Sequence, residues 1–410
     1  MAHGFALLAV LVLAGLPLAA WLDGCAEEAE TAGQPAEPPD PRPTTEENEI
    51  RPLPDAREPG TVERFAWLED DGDLMLFDPE SGETTAVEVP DISDVHHDIS
   101  WSTSGSALAY RNSSRRVTIY DLATAEQQDV GPSDLYLGQM FELSPDGTRV
   151  ALVRMSKLVT WDRGTETTFE GTPRCTVPGW SADSKLVAVG GMGHDETEDA
   201  GLWLAQDGGR ARLLVAPRET GWGATQRIMW SPDGKWVAWA RGAGDGWSGD
   251  IARSDGSGLQ RDTVGSGPLE WFPDSSALLA TIHIEAGASK TGIYRLHDYS
   301  LSQIGLDHWE SSAAVSPGGE MVLAWGWDGE VIVVDAQTGA ETRWPEKALI
   351  LQADWAPDGT IGALVKTFKG LDVWIGEASG EGKTVASTQT EVPEVARWIE
   401  LPADAAVLSD

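Results

Sequence analysis

A short phrase recurs seven times along the chain: an apolar or aromatic residue, a small residue, and a turn of Pro, Asp or Gly that leads into an apolar stretch. The copies are WSTSG at 101–105, LSPDG at 143–147, WSADS at 180–184, WSPDG at 230–234, WFPDS at 271–275, VSPGG at 315–319 and WAPDG at 355–359. Successive copies lie 37 to 50 residues apart. This spacing fits one four-stranded sheet per repeat, so it predicts an all-β fold, a β-propeller of four-stranded antiparallel blades.

Each repeat also contains a second turn, a glycine hairpin such as 78–82 or 335–339. We name the four strands of a blade A to D, so that the repeated phrase joins A to B and the glycine hairpin joins C to D. Asp and Gly favour tight turns. The Asp residues of the phrase are therefore predicted to shape turns and to have no catalytic role.

The two ends of the repeat region determine the blade count. Residues 64–67, 74–77 and 85–87 predict B, C and D strands with no A strand before them, whereas 395–399 predicts an A strand with nothing after it. Joining the two sets closes the ring and removes free sheet edges. The sequence therefore predicts eight blades, with seven as the alternative if the terminal segments pack outside the ring.

The phrase at 230–234, the apolar strand after it and the D-x-x-[ST]-G hairpin at 335–339 together resemble the WD40-like (PD40) repeat of the TolB family of propellers. The resemblance spans 62–410 and implies the propeller fold. Four copies lack one or two of the Pro, Asp and Gly residues of the turn, and these are 101–105, 180–184, 271–275 and 315–319. Such departures alter single blades and leave the repeat spacing unchanged.

The residues before the repeats differ in composition from the rest. Residues 1–24 are predicted to be a signal peptide, since an apolar segment leads into Leu22-Asp23-Gly24-Cys25, which resembles a bacterial lipobox. The Asp at 23 and the lack of Lys or Arg in the first five residues depart from that pattern. On this interpretation Cys25 carries a lipid and the protein is an exported lipoprotein of the periplasm or cell surface, anchored in the membrane through that lipid only. A secreted soluble form and an uncleaved membrane anchor are the alternatives.

Residues 25–61 contain eight prolines and carry mostly acidic charges. Prolines prevent helix formation and like charges repel each other, so this segment is predicted to be a disordered, extended tether. Residues 62–410 are predicted to form the propeller. Cys175 is the second of two cysteines, and we expect it to be a buried small hydrophobe.

The formal net charge is −37, and residues 64–410 contribute −28 of it. A domain of this sign repels phosphate backbones, so nucleic acid is not an expected partner. A basic protein or envelope component, a cationic ligand or a divalent ion is expected instead. The alternative explanation is solubility in a salty or calcium-rich exterior.

Candidate binding residues lie in long loops on one face of the predicted propeller. Strands within a blade are antiparallel, so the B–C and D–A connections open on the same face, which we call the B–C face. Long B–C loops are expected at 190–201, 241–249 and 283–291, and a long D–A connection at 216–226; such loops concentrate binding residues. The candidate partner-binding residues are Trp222, Trp247, His194, Glu196, Glu198, Asp199 and Asp245. The tryptophans would anchor a partner and the acids would attract a basic one, with loops of no binding role as the alternative.

Enzyme signatures are missing from the sequence. It contains no G-x-S-x-G nucleophile elbow, and the clusters His96-His97-Asp98 and His194-Asp195-Glu196 have no recognised metal-ligand spacing. No catalytic residue, metal ligand or cofactor is therefore predicted. The sequence favours a monomeric scaffold that binds a protein or another envelope component. A lactonase- or lyase-like, metal-assisted enzyme at the central channel is the alternative, and a structural module with no small ligand is a third.

Overall fold

A computed structural model describes residues 61–69, 72–92, 99–133, 141–172, 174–191, 201–206, 210–216, 225–243, 246–261, 263, 267–283, 289–304, 312–388 and 396–408. Contacts divide the chain into residues 1–49 and 50–410, and every described residue lies in the second unit. The described part is almost entirely β-structure, with one short 3-10 helix at Ala406–Leu408. Among these residues, no helix is long and apolar enough to cross a membrane.

The strands follow the predicted A-to-D order, and we give their bounds by position in the blade. The A strands are β4 (Ile99–Trp101), β8 (Phe141–Leu143), β12 (Cys175–Trp180), β16 (Thr225–Trp230), β19 (Gly267–Trp271), β23 (Ser312–Val315), β27 (Ile350–Trp355) and β31 (Ala396–Pro402). The B strands are β1 (Thr61–Leu68), β5 (Ala107–Arg111), β9 (Arg149–Arg154), β13 (Leu186–Gly191), β17 (Trp236–Ala243), β20 (Ala277–His283), β24 (Met321–Trp325) and β28 (Ile361–Thr367).

The outer half of each blade is formed by the C and D strands. The C strands are β2 (Asp73–Phe77), β6 (Arg116–Asp121), β10 (Lys157–Asp162), β14 (Leu202–Gln206), β18 (Gly246–Arg253), β21 (Ser289–Arg295), β25 (Val331–Asp335) and β29 (Gly370–Gly376). The D strands are β3 (Thr84–Glu88), β7 (Glu126–Pro132), β11 (Thr165–Thr168), β15 (Arg210–Val215), β22 (Leu301–Gln303), β26 (Glu341–Arg343) and β30 (Gly382–Thr388).

Eight antiparallel sheets form the blades, and the first of them joins the two ends of the ring. Its strand order is β3-β2-β1-β31, with Thr61 opposite Pro402 and Trp67 opposite Ala396. We number it blade I and the sheets that begin with β4, β8, β12, β16, β19, β23 and β27 blades II to VIII. The predicted eight blades and the closure through a shared blade are confirmed.

Blade V differs from the other seven because its sheet has three strands. An isolated bridge between Ile251 and Gln260 lies where a fourth strand would run. The same blade corrects a prediction: residues 241–249 were expected to be a long loop, but β17 and β18 continue as a paired hairpin to Ala243 opposite Gly246. The glycines of this stretch suggested a loop, whereas pairing between the two extended strands satisfies their backbone groups.

The hydrophobic core lies between neighbouring blades. Val117 and Ile119 of blade II, for example, pack in one buried cluster with Phe141 and Val150 of blade III. Most tryptophans of the A and B strands are buried in such clusters, including Trp239, which is fully buried. Cys175 is buried as expected, and burial raises the pKa of its thiol to about 11.

The repeated phrase forms the same turn in successive blades. In blade V, the Ser231 hydroxyl donates to Asp233 Oδ1 at 2.6 Å and accepts the N–H of Trp236 at 3.0 Å. Asp233 Oδ1 also accepts the N–H of Lys235 at 3.0 Å, and Gly234 has a φ of +69°, which glycine adopts without strain. The structure thus accounts for the Asp of the phrase through turn geometry, as predicted.

Candidate functional site

The A strands of neighbouring blades contact one another around the centre of the ring. One edge of each A strand pairs with its B strand, so the other edge leaves N–H and C=O groups facing the central channel. Acidic side chains just before the last residues of three A strands cover some of these groups. Glu142 accepts the N–H of Trp180 at 2.7 Å, Glu270 that of Val315 at 2.7 Å, and Asp354 that of Trp398 at 2.9 Å.

Two arginines, Arg227 and Arg397, lie near these carboxylates and complete a charged ring in the channel. Burial raises the pKa of Glu142 to about 8, although a backbone N–H and Arg227 lower it. Burial raises the pKa of Glu270 to about 7; a backbone N–H, Arg227 and Arg397 lower it, and the neighbouring Asp354 raises it further. Burial also lowers the pKa of both arginines, against the attraction of the carboxylates.

Water nevertheless reaches these side chains. Glu142, Glu270, Asp354 and Arg397 are partly exposed and Arg227 is exposed, because they face the channel while protein surrounds them. The ring can therefore hold and release protons near neutral pH. The described residues contain no group of three His, Cys, Asp or Glu side chains that could hold a metal ion.

Most of the residues predicted to bind a partner lie outside the described residues: Trp222, His194, Glu196, Glu198, Asp199 and Asp245. The same holds for Cys25. The backbone of Trp247 is described, and it lies on β18 opposite Gly242 rather than in a loop. Its role as an anchor stays a prediction.

Sequence reasoning missed three exposed apolar side chains on the B–C face. Met155 is 85% exposed, Trp327 is 62% exposed and Phe368 has the full exposure of an extended chain, at 111%. Each lies at the tip of a B–C hairpin, in blades III, VII and VIII respectively. The other exposed large apolar residues are Leu213, Tyr299 and Leu301, which are 40 to 42% exposed and lie on D strands or a C–D hairpin. We call Met155, Trp327 and Phe368 the tip residues.

The tip at Met155 has strained backbone geometry. Arg154 and Lys157 pair directly, so Met155 and Ser156 form a two-residue hairpin, and their φ angles are +50° and +61°. Turns of this kind favour Asn-Gly or Gly-Gly, because a side chain at positive φ meets steric resistance. A large apolar residue here is unfavourable both for the backbone and for solvation. Non-glycine residues at positive φ also occur in the repeated turns and C–D hairpins, for example Ser184 and Arg163, so the exposed side chain rather than the strain distinguishes this tip.

Comparison with known proteins adds information on the fold. No protein-family model matches the sequence, and no curated protein matches it. Similar solved structures include a eukaryotic initiation factor, with 13% identity over 82% of this chain and 98% of that chain and a TM-score of 0.55. They also include the dihydro-heme d1 dehydrogenase NirN in complex with DHE, with 14% identity, 84% and 76% coverage and a TM-score of 0.56.

TolB from Acinetobacter baumannii is among the similar structures too. It is 15% identical over 83% of this chain and 82% of that chain, with a TM-score of 0.38. At such identities the comparisons concern the fold alone. Sheet topology and closure define the class of this protein as an eight-bladed β-propeller.

Proposed function

We propose that this chain is an exported, lipid-anchored propeller scaffold that binds a basic protein or another basic envelope component through its B–C face. The observation that carries the proposal is the placement of the three tip residues, the most exposed large apolar side chains described, on that one face. Trp327 and Phe368 lie at the tips of the neighbouring blades VII and VIII, and clustered exposed apolar groups mark interaction sites in which aromatic residues dominate the energy. Met155 lies on the same face in blade III. Trp222 and Trp247 are proposed as further anchors on the same face.

Charge supports a basic partner. Residues 64–410 carry a net charge of −28, so a basic molecule is attracted from a distance and an acidic one is repelled. The acids Glu196, Glu198, Asp199 and Asp245 are proposed to contribute to this attraction, with His194 beside them. Such attraction is screened by salt, and association should weaken as ionic strength rises.

Capture from an envelope extract tests the proposal, with the full chain as bait. We expect Trp327→Ser combined with Phe368→Ser to reduce recovery of the captured component about tenfold, a loss within the range of hot-spot residues. Leu301→Ser is the matched control, because it removes an exposed apolar side chain from an outer strand away from the B–C face. Equal recovery by the double variant and the control would contradict the proposal.

Anchoring is tested separately. Cys25→Ser removes the proposed site of lipidation, so the protein should move from the membrane fraction to the soluble fraction or accumulate as an unprocessed precursor. Mass spectrometry of the wild-type N-terminus provides the control. Unchanged membrane association, with residues 1–24 still attached in the wild type, would show a simple hydrophobic anchor instead.

The channel supports a second candidate function, an enzyme that acts at the centre of the ring. The observation that favours it is the raised pKa of Glu142 and Glu270, to about 8 and about 7, in a channel that water reaches. A carboxyl group with such a pKa can serve as an acid or a base near neutral pH. Metal analysis of the purified protein separates the two candidates, since a metal-assisted lyase or lactonase retains stoichiometric metal.

A further inference from the structure

A groove of about 580 Å³ lies between blades VII and VIII, apart from the channel. Its lining includes the D–A connection 344–349 and Thr367, so the groove reaches the B–C face beside the tip at Phe368. The chain segment that leaves β26 forms one wall, and β28, β29 and the hairpin before β30 form the other. Its volume is within the range of small-ligand sites. None of the interactions described above for the B–C face or the channel involves its lining.

Two tryptophans form the apolar part of the groove. The rings of Trp344 and Trp374 lie 4.6 Å apart between centroids with an interplanar angle of 43°, and both side chains are partly exposed. Trp344 Nε1 donates to the carbonyl oxygen of Ala378 at 3.2 Å, which fixes the first indole on blade VIII. A Cβ at Gly380 would lie 2.8 Å from Trp344, and one at Gly382 would lie 2.3 Å from Trp374. Glycine at both positions leaves room for the indoles.

Polar groups of both kinds surround the indoles. Glu346, Asp372 and Glu381 supply acceptors, Lys347 and Lys366 supply donors, and hydroxyl groups of Thr367 and Thr384 can do either. Lys347 is held by Asp328 at 3.2 Å, and Asp372 accepts the hydroxyl of Ser387 at 2.7 Å. With three carboxylates against two ammonium groups, the lining is close to neutral although the domain as a whole is strongly acidic.

We propose that this groove binds a neutral oligosaccharide. A pyranose ring presents an apolar C–H face, which packs on an indole, and a rim of hydroxyl groups, each of which both donates and accepts hydrogen bonds. The paired tryptophans and the mixed rim match these two requirements. An anionic polymer would be repelled by the acidic domain. A cationic ligand would be attracted by the three carboxylates of the groove but would compete for them with the two lysines. The proposal goes beyond the binding function assigned to the B–C face.

Titration of the full chain with neutral hexasaccharides of glucose and of N-acetylglucosamine, followed by calorimetry and tryptophan fluorescence, tests the inference. We expect saturable binding of at least one of them. Trp374→Ala should weaken it about tenfold, the loss that corresponds to one aromatic contact with its buried area. A second variant, Lys366→Ala with Glu381→Gln, alters only exposed side chains, so it tests the groove even if the tryptophan variant fails to fold. It should weaken binding as well.

Lys383→Ala is the matched control, because Lys383 is an exposed lysine beside the groove that does not line it. Its affinity should equal that of the wild type. Three results would overturn the inference: no saturable binding of any neutral hexasaccharide, binding that both groove variants leave unchanged, or a peptide or polygalacturonate that binds the groove where the neutral sugars do not. The groove contains none of the tip residues, so these results do not bear on capture through the B–C face.

Discussion

Acidic side chains of the A strands accept hydrogen bonds from backbone N–H groups on the unpaired inner edge of the next A strand. An innermost strand has one unpaired edge, and a backbone N–H left without a partner costs free energy comparable to a lost hydrogen bond. Glu270, for example, covers the N–H of Val315 one blade away, and Ser100 covers that of Leu143 in the same way. The carboxylates are therefore explained as structural caps, and their desolvation makes them sensitive to pH.

The pH dependence of stability follows from the raised pKa of Glu270. Its pKa is about 7 in the folded protein and close to 4.5, the ordinary value of a glutamate, when unfolded, so the folded state binds the proton more tightly. This contribution to stability is present below the unfolded pKa and is lost as pH rises through the folded one. We expect Glu270→Gln, which keeps an acceptor, to gain stability relative to wild type from pH 5 to pH 8, by roughly 1 kcal/mol after screening by channel water.

Urea unfolding at several pH values, followed by tryptophan fluorescence, measures this difference. Glu346→Gln is the control, since it removes the same charge from an exposed site. Its stability difference from wild type should change little over the same pH range. The interpretation of the channel carboxylates is wrong if Glu270→Gln and the wild type lose stability in parallel.

At the scale of elements, tryptophans at the ends of four A strands, β12, β16, β19 and β27, link their blades to the one before. Trp230 Nε1 donates to the carbonyl oxygen of Gly179 at 2.9 Å, and Trp180 and Trp355 make the equivalent bond to Glu142 and Ala314 at 3.0 and 3.1 Å. Each bond joins an indole N–H to the carbonyl of the residue before the last in the preceding A strand. The tryptophan of the repeated phrase thus joins neighbouring blades as well as filling the space between them.

Trp230→Phe should lower the free energy of unfolding more than Trp398→Phe does, by about 1–2 kcal/mol. Both residues are buried in an A strand, so both variants lose a similar part of the indole. Trp398 Nε1 has no hydrogen-bond partner among the described residues, whereas Trp230→Phe removes the hydrogen bond from the indole to the Gly179 carbonyl. Thermal and urea unfolding would measure the difference, and equal losses would show that packing alone explains these tryptophans.

The repeat predicts the elements well because turn chemistry is local. Asp233 and Gly234 specify their turn within five residues, and the spacing of such turns gives the blades, their number and the closure through 395–399. The hairpin at 241–249 was missed, since its glycines suggest a loop and only pairing between β17 and β18 shows otherwise. The tip residues were missed because one apolar residue in a short turn leaves no periodic signal.

The candidate site was predicted less completely than the fold. Topology correctly assigns B–C hairpins to one face, but most of the chosen residues, such as Trp222 and Glu196, lie outside the described residues. The channel carboxylates are visible in the sequence as acids before Leu or Trp, yet their partners lie 38 to 45 residues away. Only the closed ring places each acid beside the next inner strand.

For the whole molecule, ring closure makes the two faces rigid and chemically different. One carries the repeated turns and glycine hairpins, whose polar groups bond within each turn. The other carries the B–C tips, three of which expose large apolar side chains to solvent. The acidic charge of residues 64–410 extends the attraction for a basic partner beyond direct contact. The exposed apolar tips are the reason that we propose the B–C face as the binding surface.

Hydrogen–deuterium exchange of the protein with its captured partner tests most directly whether the partner binds the B–C face. Backbone amides in exposed turns exchange rapidly in the free protein, so protection by a partner is readily seen. We predict slower exchange in the complex at the tips 154–157, 326–330 and 367–370, and unchanged exchange at C–D hairpins such as 335–339. Protection confined to the C–D hairpins and the repeated turns would contradict the account, because it would place the partner on the opposite face.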